Sequence, residues 1–480
     1  MRTLRSLPLL FLVGATLLAS GCGGSGTTPP PSTPIVPPSA HNEWTWVSGS
    51  SALEVGGVYG TQGTASISNA PGAREFAVSW SDNSGNFWLF GGNQLSGVGG
   101  VEDDFNDLWE FSPASKEWTW VSGSSVFNAV GVYGTQGTAS TTNVPGARAM
   151  AVSWTDKSGN LWLFGGEGYD ANDTFGFLND VWEFSPANKE WTRVSGSYIA
   201  NAGGVYGTQG TASTANVPSA RSGAVSWTDS SGNLWLFGGE SQTVTELSLF
   251  TDLWEFSPVN KEWTWVSGST AINGFGVYGT EGMASASNVP RSRKSAVSWI
   301  DGSGNLWLFG GDGYDTTGNL GNLNDLWEFS PANKEWTWVS GSNALFATGV
   351  YGTKGTASAA NVPGARDQAV SWIDSSGNLW LYGGNANQVD SGGTFSDLWE
   401  FSPANKEWTW VSGSNMGYAV AVYGTQGTAS TTNAPGARWG SVSWIDSSGD
   451  LWLFGGDGFG SISDAINGPG DLSDLWVYQP

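Results

Sequence analysis

Histidine and cysteine, the side chains behind most nucleophilic and transition-metal chemistry, each occur once in the 480 residues, as His41 and Cys22. One of each is too few for a zinc centre built from these ligands or for a Ser-His or Cys-His nucleophile pair. It also precludes an intramolecular disulfide. The inventory leaves carboxylate and tyrosine chemistry open. Asp and Glu number 42, ample for glycoside cleavage by two acids, yet spacing singles out no pair. These acids outnumber the 18 Lys and Arg and set a formal charge of −24. A nucleic-acid binder needs a basic patch, and none appears; such acidity suits an exposed, soluble surface. Ca²⁺ is the one cation with candidate oxygen ligands, in the acidic loops Glu102-Asp103-Asp104 and Asp170 with Asp173. The recurring Asp-x-Ser-Gly-Asn segment lacks the downstream acid of an EF-hand loop, and a hairpin turn explains it. No other cofactor is implied.

What must position any such group is a repeat. Glu43-Trp44-Thr45-Trp46-Val47-Ser48-Gly49-Ser50 returns at Glu117, Glu190 (with Arg193 for the second Trp), Glu262, Glu335 and Glu407. Its leading Trp (44, 118, 191, 263, 336, 408) steps by 74, 73, 72, 73 and 72 residues. So regular a period means one structural unit copied in series. Each period carries four strand-like runs: Ala77–Trp80, the wholly apolar Phe87–Phe90 closed by Gly91-Gly92, Asp107–Phe111, and the Glu-Trp-Thr-Trp-Val segment. The second run has no polar side, as befits a strand covered on both faces. Asp82-Asn83-Ser84-Gly85-Asn86 and its relatives place a glycine late in a short hairpin loop. Four short strands per period predict an all-β fold, a six-bladed β-propeller with four-stranded blades.

Arg, a hydrophobic strand, Gly-Gly, then Asp-Leu-Trp and a later Trp resembles the kelch repeat, over essentially all of 43–480. The glycine pairs fall at 91-92, 165-166, 238-239, 310-311, 383-384 and 455-456. Kelch units run about 50 residues, and the surplus here lies between the fourth strand and the next Arg. The resemblance implies a propeller of the galactose oxidase central-domain superfamily. The copper radical oxidases of that superfamily need histidine ligands and a cysteine bonded to tyrosine, which this inventory excludes. The last copy stops at Trp476–Pro480 with no fourth strand, and the first begins with one, so the two should complete a sixth blade and remove two exposed edges.

If the strands run from centre to rim, the short Asp-x-Ser-Gly-Asn and Pro-Ala-Asn-Lys-Glu turns share one face. The long, variable connections share the other, where binding residues are expected. They include Asn93–Asn106, Glu167–Asn179 and Asp457–Ser473. Just after the recurrent Arg (74, 148, 221, 293, 366, 438), otherwise similar copies diverge: Glu75-Phe76, Ala149-Met150, Ser222-Gly223, Lys294-Ser295, Asp367-Gln368 and Trp439-Gly440. These positions should ring the channel mouth. The ligand-binding candidates are therefore Glu75, Met150, Arg293, Lys294, Asp367, Gln368 and Trp439, with Tyr169 and Tyr314 in Gly-Tyr-Asp loops; no catalytic or metal residue is assigned. The simpler account is drift at solvated positions with the Arg held for inter-blade hydrogen bonds. The repeated Gly-Val-Tyr-Gly loop (Tyr59, 133, 206, 278, 351, 423) reads as a structural plug.

Residues 1–21 have Arg2, Arg5 and an apolar run too short to span a bilayer, the form of a secretory signal. Ala19-Ser20-Gly21-Cys22 resembles the lipobox of bacterial lipoproteins, which implies lipidation at Cys22 and a lipid-anchored place in the cell envelope, at the outer membrane or cell surface. Residues 22–42, rich in Gly, Ser, Thr and Pro, read as a tether, followed by the propeller at 43–480. The function expected is a monomeric, non-catalytic recognition module for a glycan or surface protein, touching the membrane through its anchor only. A carbohydrate-active enzyme using channel carboxylates and a purely structural envelope protein are the alternatives.

Overall fold

The computed structural model describes residues 42–96, 101–242, 247–386, 393–461 and 468–480. Cys22 and the segments read as signal and tether, apart from Asn42, lie outside these residues. Among the described residues, strands form six four-stranded antiparallel sheets. Blade 1 comprises Val78–Ser81, Phe87–Phe90, Leu108–Ser112 and Glu117–Ser122. Blades 2 to 5 repeat it from Val152, Val225, Val297 and Val370. Blade 6 takes Val442–Ile445, Leu451–Phe454 and Leu475–Gln479, and its outer strand is Glu43–Ser48. Glu43 pairs with Gln479 and Trp46 with Trp476. The fold is the expected six-bladed propeller.

The sequence pattern explains the layering. All four residues of each second strand are buried, whereas inner strands alternate buried and half-buried. Second strands lie between neighbouring blades, and their Phe, Trp and Leu fill those interfaces, as where Trp88 meets Phe184 and Trp235 meets Phe329. Inner strands present every other residue to the channel. Their serines join blade to blade: the Oγ of Ser153 donates to the carbonyl of Ser79, Ser226 to Ser153, Ser298 to Ser226, Ser371 to Ser298, Ser443 to Ser371 and Ser79 to Ser443, at 3.0–3.2 Å.

The recurrent Arg anchors each blade. The guanidinium of Arg293 donates to both carboxylate oxygens of Asp325 at 2.7 Å, and to the carbonyls of Gly310 and Arg291. The same Asp325 accepts from Tyr278 at 2.6 Å and Trp327 at 2.7 Å. Equivalent nodes join Arg74 to Asp107, Arg148 to Asp180, Arg221 to Asp252, Arg366 to Asp397 and Arg438 to Asp474. Burial works against the charge of Asp180 and Asp325, but the paired guanidinium and the donated hydrogen bonds hold both below the usual carboxylate range. The glycine pair lets two such segments pass. A Cβ on Gly91 (φ 68°) would lie 2.6 Å from the Arg148 carbonyl oxygen, and one on Gly92 (φ 89°) 2.5 Å from that of Glu75.

The long loop before each Arg is architectural. Gly63 and Ser66 donate backbone N–H groups to Trp120 and Trp118 of the outer strand of blade 1, covering that edge, which would otherwise offer a template for strand addition. The same contacts recur at every blade, through Gly427 and Ser430 onto Trp46 and Trp44 in blade 6. The loop tyrosine then reaches in to its blade's Arg–Asp node, as Tyr59 does to Asp107 at 2.7 Å.

Candidate functional site

On the long-loop face, the two residues after each Arg go different ways. The second of them (Phe76, Met150, Gly223, Ser295, Gln368, Gly440) has φ between 53° and 65°. Each donates its N–H to the carbonyl of the same position in the preceding blade, from Phe76 to Gly440 round to Gly440 to Gln368, at 2.7–3.0 Å. This hydrogen-bonded iris narrows the channel to a cavity of about 200 Å³. Gly440 is small because a Cβ there would lie 2.9 Å from the Phe76 ring; at Gly223 it would meet Met150 Cε at 3.5 Å. Met150 and Gln368 thus belong to the iris. Beyond it lies a cavity of about 490 Å³ reaching toward the short-turn end, lined by Ser79, Trp80, Ser81 and their counterparts.

In blades 1, 4 and 5 the first residue after the Arg turns instead toward the seam with the preceding blade. Lys294 of blade 4 reaches Glu240 of blade 3, Nζ to Oε2 at 2.8 Å. Burial lowers the Lys294 pKa, but Glu240, Asp312 and Asp367 outweigh it, and the net shift is upward. Asp367 of blade 5 is 5 % exposed. Burial and then the charge of Asp312 push it well up, against the pull of Lys294 and an Asn322 hydrogen bond. Glu75 of blade 1 lies within 4.8 Å, oxygen to oxygen, of Asp457 and Asp471 of blade 6, and Trp439, half-buried, stands in register opposite Asp457. The structure therefore places Glu75, Lys294 and Asp367 at three different seams, and Trp439 beside Asp457 within blade 6. Arg293 belongs to no ligand face: it is 1 % exposed, with its guanidinium engaged by Asp325, Gly310 and Arg291.

Tyr169 and Tyr314 sit on small antiparallel arms that rise from blades 2 and 4. Tyr169 packs edge-on against Phe175 at 5.4 Å. Its phenol is pushed up, by burial first and then by Asp104, Asp173 and Asp103. Asp170 is buried and already accepts N–H groups from Asn172, Thr174 and Ala200. Asp103 accepts from the amide of Asn128; the side chain of Glu102 lies outside the described residues.

Between the arms of blades 2 and 3 opens a groove of about 820 Å³ that residue spacing did not reveal. Phe177 and Phe250, each 6 % exposed, form part of its lining, and Phe175, 44 % exposed, stands at its side. Glu167, Ser241 and Gln242 bring polar groups to it. The only sequence signal for it is the aromatic pair in Phe175-Gly-Phe177, a pattern the other arms lack. Asp457 and Asp471 were missed as well, although aligning the residue after each glycine pair exposes the column holding Asp457. No family model matches this chain, and no curated protein matches it.

Proposed function

We propose that this chain is a kelch-type propeller that acts as a non-catalytic recognition module, binding a glycan through the groove between blades 2 and 3. The observation that carries this reading is the groove's make-up. An exposed aromatic ring can stack on the apolar face of a sugar, while neighbouring amide, hydroxyl and carboxylate groups hydrogen-bond its hydroxyls. The described strands of the two arms pair in register, which holds the groove's lining in place and limits the ordering entropy that opposes binding. The lipobox-like Ala19–Cys22 supports a lipid-anchored envelope location for the module.

A thermal-unfolding screen of the protein against a glycan library tests this. A ligand that binds only the folded state raises the midpoint, by about 2.7 kcal/mol of stabilisation at a hundredfold excess over Kd. The doubly substituted Phe175→Ala, Gln242→Ala protein should lose that response while keeping its own midpoint. A silent screen, or a hit insensitive to both substitutions, refutes the groove as the glycan site. Cys22→Ser should release the protein from the membrane fraction of a host that processes lipoproteins.

A further inference from the structure

The six seams of the long-loop face form an internal comparison. At three of them, the residue after the Arg of one blade approaches the residue after the glycine pair of the preceding blade. Between blades 3 and 4 the protein supplies its own cation there, Lys294 on Glu240. Between blades 4 and 5, Asp312 and Asp367 meet, but the Asn322 amide donates to Asp312 at 3.0 Å and Lys294 acts on both acids. Between blades 6 and 1 the same positions hold Asp457 and Glu75, joined by Asp471, the cross-strand partner of Asp457.

These three carboxylates are 6 %, 3 % and 0 % exposed at Glu75, Asp457 and Asp471. Asp471 accepts the backbone N–H of Leu95 at 2.8 Å. Among the described residues, buried Asp457 Oδ1 has no hydrogen-bond partner, and the carboxylate is aimed into the cluster, with an oxygen within 4.8 Å of the other two. The charges acting on it, from Asp471 and Glu54, are both negative; with burial as the largest cause they push its pKa up to about 8. Glu54 sits at the rim, its Oε1 accepting the N–H of Asp471 and its Oε2 the amide of Gln94. A buried carboxylate with neither donor nor counter-charge is unfavourable in its ionised form, and a cation among the three relieves the whole cluster.

We propose that Glu75, Asp457 and Asp471 form a Ca²⁺ site that clamps blade 1 to blade 6. The donors are all carboxylate oxygens, which suit a hard cation and not zinc. Ca²⁺ binds oxygen at about 2.3–2.6 Å, so two of its ligands can stand up to roughly 4.6–5.2 Å apart. The cluster lies within that span as it stands. Mg²⁺, at about 2.0–2.1 Å, spans only about 4.2 Å and prefers to keep several waters, so it should bind more weakly. Glu54 and Glu75 come from one end of the propeller sequence, Asp457 and Asp471 from the other, so the ion joins segments almost 400 residues apart.

Isothermal titration of CaCl₂ into chelator-stripped protein, paired with thermal unfolding in Ca²⁺ and in EDTA, tests the proposal. Wild type should give one saturable heat at a 1:1 ratio and a midpoint that rises with Ca²⁺. Asp457→Asn and Glu75→Gln should each abolish the heat and the Ca²⁺-dependent rise. In EDTA at pH 9, Asp457→Asn should melt above wild type, because there it removes an unpaired charge while keeping the side-chain shape. Asp173→Asn, in the exposed arm of blade 2, should titrate like wild type. Absence of a saturable heat from wild type overturns the proposal, as does a heat that survives both seam substitutions or that is lost in Asp173→Asn alone.

Discussion

Replacing Asp325 with Ala tests whether the Arg–Asp nodes hold the blades together. Asp325 is fully buried and takes four hydrogen bonds: two from Arg293, one from Tyr278 and one from Trp327. Its removal leaves a guanidinium that is 1 % exposed with only two carbonyl acceptors. Breaking a buried pair from one side costs about 3–5 kcal/mol, and the orphaned phenol and indole place the expected value at the upper end. Tyr278→Phe is the milder control. It removes one of the four bonds, about 1.5–3 kcal/mol for a bond to a charged group, and the ring keeps its contacts with Trp327 and Trp338 at 4.9 and 5.2 Å. The double variant Arg293→Leu, Asp325→Leu buries no charge, so it should be less destabilised than Asp325→Ala despite losing both partners. Urea unfolding followed by tryptophan fluorescence, at fixed Ca²⁺ concentration, reads all three. A loss below about 1 kcal/mol for Asp325→Ala would refute the reasoning. So would a double variant at least as unstable as Asp325→Ala.

Three further outcomes are expected. Trp44→Ala should cost about 3–5 kcal/mol in the same unfolding assay, because Trp44 is 4 % exposed and packs on Tyr382, Trp476 and Tyr478; a neutral result would deny the N-terminal strand its part in blade 6. Gly165→Ala should cost about 2 kcal/mol or more, since φ is +65° and the new Cβ would lie 2.8 Å from the Arg221 carbonyl oxygen. Asp367→Asn should stabilise at neutral pH. The Asp367 pKa is raised, by burial and then by Asp312. Its favourable contribution is therefore complete only below the unfolded carboxylate value and is lost as pH rises through the folded one. The gain over wild type, measured by denaturant midpoints from pH 3 to 8, should vanish toward the acid end; a constant gain would exclude this cause.

The blades were legible because every structural device is copied. Arg, Gly-Gly, Asp-Leu-Trp and the loop Tyr recur at one period, and all four meet at each node. From sequence the Arg reads in two ways, as part of a ligand ring and as held for inter-blade hydrogen bonds; its buried carboxylate partner, which lies in the same blade, gives it a structural role. The variable residues were correctly placed on the long-loop face, but as a single circle. In space they divide, because Phe76, Met150 and their counterparts take a left-handed backbone that turns them to the iris while their predecessors in blades 1, 4 and 5 face the seams. The acid cluster was beyond local reading, since Glu75 and Asp457 lie at opposite ends of the array and meet only when blades 1 and 6 do. The groove between blades 2 and 3 was obscure for another reason: Phe175 and Gln242 fall at arm positions where the copies diverge.

The iris narrows the passage between the two ends of the channel. Its six N–H groups and six carbonyls are spent on one another, and the Phe76 and Met150 side chains crowd its two glycines. A solute entering the tryptophan-lined cavity from the short-turn end meets this constriction before it reaches the long-loop face. The two stretches of channel therefore differ in lining, Ser79, Trp80 and their counterparts in the one and Phe76, Met150 and theirs at the constriction.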